Sequence, residues 1–173
     1  TTEQELNLAI TLKLQQLLEQ SGTKVILTRS DDNGIYEVDK DSIRSKKISD
    51  MKNRVYIGNN SDADIYISIH MNYYIDSQYN GWQTFYQSRS EDSKRLATII
   101  QQSLNENIGQ NKRNPMAIKG AYIMDKVEIP SVIVECGFLS NHEDAELLSD
   151  EKYQRQLAMS VMAGILDFLQ NND

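Results

Sequence analysis

His70 follows directly on the apolar run Ile65-Tyr66-Ile67-Ser68-Ile69, and Glu135 follows directly on Ser131-Val132-Ile133-Val134. Short apolar runs rich in β-branched residues read as buried strands. Open α/β sheets gather their ligands at the carboxyl ends of strands, so these two strands deliver an imidazole and a carboxylate to one edge. The pair carries a definite chemistry: an imidazole binds zinc, and a nearby carboxylate takes a proton from water that the metal activates. Either residue alone would carry little, because a lone histidine is more often structural.

The elements around the two strands have the periods of an α/β layer. Leu6, Ile10, Leu14, Leu17 and Leu18 recur at three- and four-residue steps, which predicts a helix closed by Gly22. Val25-Ile26-Leu27-Thr28 reads as a buried strand, and residues 29–47 as a long charged surface loop. A helix is expected from Ser49 to Asn60, a strand from Trp82 to Tyr86, and an amphipathic helix carrying Leu96, Ile99, Ile100 and Leu104. A short strand from Ala121 to Met124 and a last helix from about Lys152 to Gln170 complete the reading. The alternation predicts one domain over residues 1–173, a twisted, mostly parallel sheet with helices on both faces.

Composition bounds the partners. The chain has 173 residues, ample for one core, with 25 acidic against 18 basic residues and a net charge of -7. Such a surface repels phosphates and argues against nucleic acid. Cys136 is the sole cysteine, which excludes an intrachain disulfide and a Cys-based zinc cluster. No apolar run reaches the roughly 18 residues of a membrane span, and no basic-then-apolar leader opens the sequence.

The local words around the two candidate residues are more specific. NNSDADIYISIHMN, Asn59 to Asn72, and IPSVIVECGFLSN, Ile129 to Asn141, resemble the two signatures of the zinc-dependent N-acetylmuramoyl-L-alanine amidases. EQELNLAI from Glu3, VILTR ending at Arg29 and the Gly81–Tyr86 segment fall in the family's order, so the resemblance covers essentially the whole chain. It implies hydrolysis of the amide joining the lactyl group of N-acetylmuramic acid to L-alanine of the stem peptide in peptidoglycan. It also implies Zn2+ as cofactor, His70 and Glu3 as ligands, and Glu135 as the catalytic carboxylate. Without the resemblance, Glu3 would read as a helix N-terminal charge facing the dipole.

The sequence departs from the family at one place. The family opens with a strand and Gly-His-Gly-Gly, whose histidine is the third metal ligand. The only other histidine here is His142, at the start of an expected helix, where solvation is the simpler reading. The third ligand is therefore expected upstream of Thr1, together with a central strand that the sheet would otherwise lack.

Arg54 matches a family arginine, with a structural salt bridge as its plainer role and support of the site as the other. Asn72, Tyr73 and Trp82 are candidate substrate contacts, with packing the competing role for the aromatic residues. Cys136 adjoins Glu135, but no free histidine remains to activate it, so it reads as a small buried residue. The stretch from Ala117 to Asn141 most resembles the sporulation branch that prepares muramic lactam in spore cortex. That likeness implies an extracytoplasmic site around the forespore and leaves regulation by an accessory spore or envelope protein open. Two alternatives stand beside it: a metal-poor, non-catalytic wall-binding module, and a zinc carboxypeptidase-like peptidase. Oligomeric state is not fixed by the sequence.

Overall fold

The computed structural model describes residues 1–171. In chain order the elements are α1 (Glu3–Gln20), α2 (Ile43–Asn60), β1 (Tyr66–Asn72), β2 (Gln83–Gln87), α3 (Glu91–Asn107), β3 (Met116–Ile118), α4 (Tyr122–Lys126), β4 (Ser131–Phe138), α5 (His142–Ser149) and α6 (Glu151–Gln170). The sheet order is β1-β4-β2-β3. β1 runs parallel to β4 and β2 parallel to β3, whereas β2 and β4 are antiparallel. The sheet is thus mixed, with two parallel pairings of three.

One face of the sheet, through Ile69, Val132 and Val134, packs on the apolar stripes of α1, α3 and α6. Ile10, Leu96, Ile100, Leu157 and Val161 are wholly buried there, and burial of such side chains stabilises the fold by about 1.5–3 kcal/mol each. Gly164 lets α6 meet α3 closely, since a Cβ there would lie 2.9 Å from the Ile100 Cα. α1 ends as expected: Ser21 and Gly22 close it, with Gly22 at φ +85 and the Thr23 amide bonded to the Leu18 carbonyl.

Three expectations are corrected. Val25–Thr28 forms no strand; it lines a cleft along the outer edge of β1 and meets no ladder partner among the described residues. Ala121–Met124 is not a strand either. Gly120, at φ +79, turns the chain into the short helix α4, whose last carbonyls are taken by the side chains of Gln87 and Arg89. The extra strand is β3, just upstream, where three residues pair with β2. Finally, α2 begins at Ile43, six residues before the expected start, because Ser42 caps it by accepting from the Ser45 amide.

Candidate active site

Residues directly opposite each other in a parallel pair project from the same face. His70 and Glu135 are such a pair, so β1 and β4 present imidazole and carboxylate side by side on the face away from the main core. The register then shifts: Asn72 pairs with Phe138, so β4 carries one extra residue in a bulge. That bulge brings Phe138 back to the face of Glu135, next to Asn72.

The third component comes from α1. Thr2 and Glu5 form a reciprocal capping box, which fixes the helix start at Glu3. Glu3 thereby reaches the free edge of β1. Its Oε1 lies 3.1 Å from His70 Nδ1 and accepts from the Met71 amide and the Asn7 side-chain amide, each at 3.4 Å. Asn7 escaped the sequence reading, although its place one helical turn after Glu3 was the available signal.

Glu135 is half-buried, and its Oε2 is enclosed without a hydrogen-bond partner. Burial, and then the negative charge of Glu3, push its carboxyl up from 4.5 to about 7. A carboxyl poised near neutrality is suited to take and return a proton.

The remaining candidates divide by surroundings. Asn72 ends β1, and its Oδ1 accepts from the Tyr73 amide at 2.8 Å. Tyr73 is largely exposed at the rim, as are Tyr74 and Ile75. Trp82 is only 6% exposed, and its indole N–H donates to Asn105 Oδ1 at 2.7 Å. Arg54 pairs with Asp50 at 2.5 Å and donates to Thr28 Oγ1 at 2.9 Å, tying α2 to the Val25–Thr28 segment. His142 is exposed and pairs with Glu146 on α5, while Cys136 is buried with its thiol pushed well up by burial and Glu135.

This site of histidine, glutamate and helix-borne glutamate can be set against known proteins. The profile of the N-acetylmuramoyl-L-alanine amidase family matches residues 1–167. The chain belongs to that family. It is accordingly an enzyme of the peptidoglycan amidase kind, in a family whose members are generally zinc-dependent.

Among its relatives is the germination-specific N-acetylmuramoyl-L-alanine amidase of Bacillus subtilis, 33% identical over 96% of this chain and 70% of that protein. The N-acetylmuramoyl-L-alanine amidase LytC of the same organism is 30% identical over 96% of this chain, which spans 31% of LytC. Among solved structures, the CwlD amidase from Clostridioides difficile, in complex with the GerS lipoprotein, is 42% identical with a TM-score of 0.95, covering 98% of this chain and 87% of that one.

The donors fit zinc as part of a ligand set. An imidazole nitrogen and a carboxylate oxygen 3.1 Å apart, both open to solvent on one side, are the donor types zinc prefers. No cluster of three such side chains occurs among the described residues. Beside the pair, a cleft of about 830 Å³ runs along the free edge of β1, lined by Asn7, Leu14, Val25, Leu27, Ile67 and Ile69. Asn7 Oδ1 is enclosed there with no donor to meet it.

Proposed function

We propose that this amidase is zinc-dependent, with His70 and Glu3 holding the metal and Glu135 serving as the general base and acid. The third ligand is a histidine on a strand seated along the free edge of β1, upstream of Thr1. The β1-edge cleft and the unmet Asn7 Oδ1 support that strand, because an added backbone would supply donors to both. Zinc at this place would supply Lewis-acid polarisation of the lactyl carbonyl and activation of water.

The protein's own part is proton handling. The Glu135 carboxylate takes the proton of the attacking water and hands it to the L-alanine nitrogen as the amide breaks. Asn7 holds the Glu3 carboxylate toward His70, and the Met71 amide holds it from the strand side. The observation that carries the reading is the buried, unpartnered Glu135 Oε2 directly opposite His70.

The biological setting we propose is spore cortex maturation, with stem peptides stripped from muramic acid before the lactam closes. The germination-specific relative and the resemblance of Ala117–Asn141 to the sporulation branch support it. The enzyme then works outside the cytoplasmic membrane, where peptidoglycan lies. No helix among the described residues is long and apolar enough to cross a membrane. An accessory envelope protein as regulator is supported by the CwlD neighbour, which was solved in complex with a lipoprotein.

Mass analysis of products from purified peptidoglycan tests the reading, with added zinc and a Glu135→Gln control. Intact stem peptides with a free L-alanine amino group, absent from the control, are expected. Single released amino acids would favour a carboxypeptidase. Zinc-independent release would overturn the metal assignment, and peptidoglycan binding without any release would favour a wall-binding module.

A further inference from the structure

Arg113, in the connection between α3 and β3, is half-buried and carries a charge that the fold does not neutralise. Its Nη1 donates to the Asn80 carbonyl at 2.6 Å and to the Trp82 carbonyl at 3.5 Å. The guanidinium carbon lies 5.1 Å from the centre of the Phe138 ring, within cation–π range. These contacts fix the plane of the group but occupy one nitrogen only. Among the described residues, no acceptor meets Nε or Nη2, and no carboxylate pairs with Arg113. In a chain with seven more acidic than basic residues, 25 against 18, the Nε–Nη2 edge of this held guanidinium has the geometry that pairs with a carboxylate.

Phe138 locates that cation relative to the chemistry. It lies on the face of Glu135, one register pair further along β1 and β4. Two strand residues span about 7 Å. An extended peptide advances roughly 3.3–3.6 Å per residue, so the residue after L-alanine places its α-carboxyl about that far from the scissile amide. In peptidoglycan that residue is acidic, with its α-carboxyl either free or amidated.

We infer that Arg113 is a specificity-determining residue whose free Nε–Nη2 edge takes the α-carboxylate of the acidic residue following L-alanine in the stem peptide. The inference rests on the amidase reading of the same site. Arg113 selects stem peptides with a free carboxylate over their amidated counterparts, and it orients the leaving peptide across Phe138. The planar fork suits a carboxylate in a way that a lysine ammonium does not.

Titration calorimetry with the whole protein tests this, using muramyl tripeptides that differ only in a free or amidated α-carboxyl on the second residue. The wild type is expected to bind the free acid roughly tenfold or more tightly. Arg113→Gln is expected to erase that gap while leaving the affinity for the amide within about twofold, and Arg113→Lys to keep a part of the gap. A purely structural arginine would weaken both ligands alike. Equal affinities in the wild type, no binding of either ligand, or an unchanged gap in Arg113→Gln would each overturn the inference. Should Arg113→Gln not fold, as melting curves would reveal, the Lys variant decides by the same ratio. Stem-peptide release by the wild type keeps the amidase reading separate, because it stands or falls without reference to the carboxylate.

Discussion

Replacing Glu135 by glutamine should raise the stability of the metal-free protein, and by an amount that grows with pH. The carboxyl is moved from 4.5 to about 7, by burial first and by Glu3 second. The folded chain therefore holds its proton where the unfolded chain has lost it. Below about pH 4.5 both states are protonated and Glu135 costs nothing. From there to pH 7 the unfolded state gains from ionising, and above pH 7 the folded state must ionise at full cost. Each tenfold change in an ionisation constant is worth about 1.4 kcal/mol, so the full cost is roughly 3 kcal/mol.

Glutamine does not titrate, so any fixed cost of burying its amide cancels when the two proteins are compared at two pH values. For a chain of this size 1 kcal/mol moves the melting temperature by about 2–4 °C. Calorimetric melting in a chelator should thus show the variant gaining roughly 6–12 °C on the wild type between pH 4.5 and pH 8. A difference that stays constant across that range would refute the claim that Glu135 is held protonated by its burial.

Other perturbations follow from named contacts. Asn7→Leu removes a hydrogen bond to Glu3 together with an enclosed, unmet oxygen. Zinc affinity should fall about tenfold by competition titration, while the metal-free melting temperature holds or rises. His70→Ala removes the imidazole donor beside Glu3 and should lower zinc affinity by about tenfold or more in the same titration. An unchanged affinity would displace the proposed site. Gly164→Ala places a methyl 2.9 Å from the Ile100 backbone, so strain of about 1–3 kcal/mol should exceed the helix-propensity gain of about 1 kcal/mol. Its melting temperature should drop by a few degrees.

The strands that carry the chemistry were legible because each is an unbroken apolar run that ends in a polar residue. β1 and β4 form at the expected runs but extend past them to Asn72 and Phe138, so His70 and Glu135 lie within the strands, and the parallel register places one against the other. The helices α1, α3 and α6 were legible for the same reason, with apolar stripes that dominate their local preferences. Val25–Thr28 misled because its residues are those of a buried strand, yet a strand also requires a neighbour to bond. Ala121–Met124 misled because no ladder satisfies its backbone: the Asp125 and Val127 amides bond the Ala121 and Ile123 carbonyls, and Gln87 and Arg89 reach across from β2 and the turn after it to Met124. Such long-range partners leave no local period to read. Arg113 was invisible for a related reason, since its significance lies in the acceptors it lacks.

The free edge of β1 links the corrected strand to the chemistry. Val25–Thr28 lies on one side of the cleft, and β1 lies on the other, with its apolar Ile67 and Ile69 among the lining residues. Arg54 bridges the far side by holding both Asp50 and Thr28. Burial pushes the Asp50 carboxyl up, but the hydrogen bonds from Arg54 and the Ile35 amide, with the Arg54 and Arg29 charges, outweigh it and keep Asp50 ionised below its usual range. The arginine is thus a brace for the cleft wall. A strand seated between the two walls would complete the ladder of β1 and meet the enclosed Asn7 oxygen. It would also end beside Glu3 and His70, where the proposed metal lacks a ligand. A synthetic apolar peptide carrying one histidine at its carboxyl end should therefore bind the edge and raise zinc affinity together. Binding of the peptide without a gain in zinc affinity would place the third ligand elsewhere.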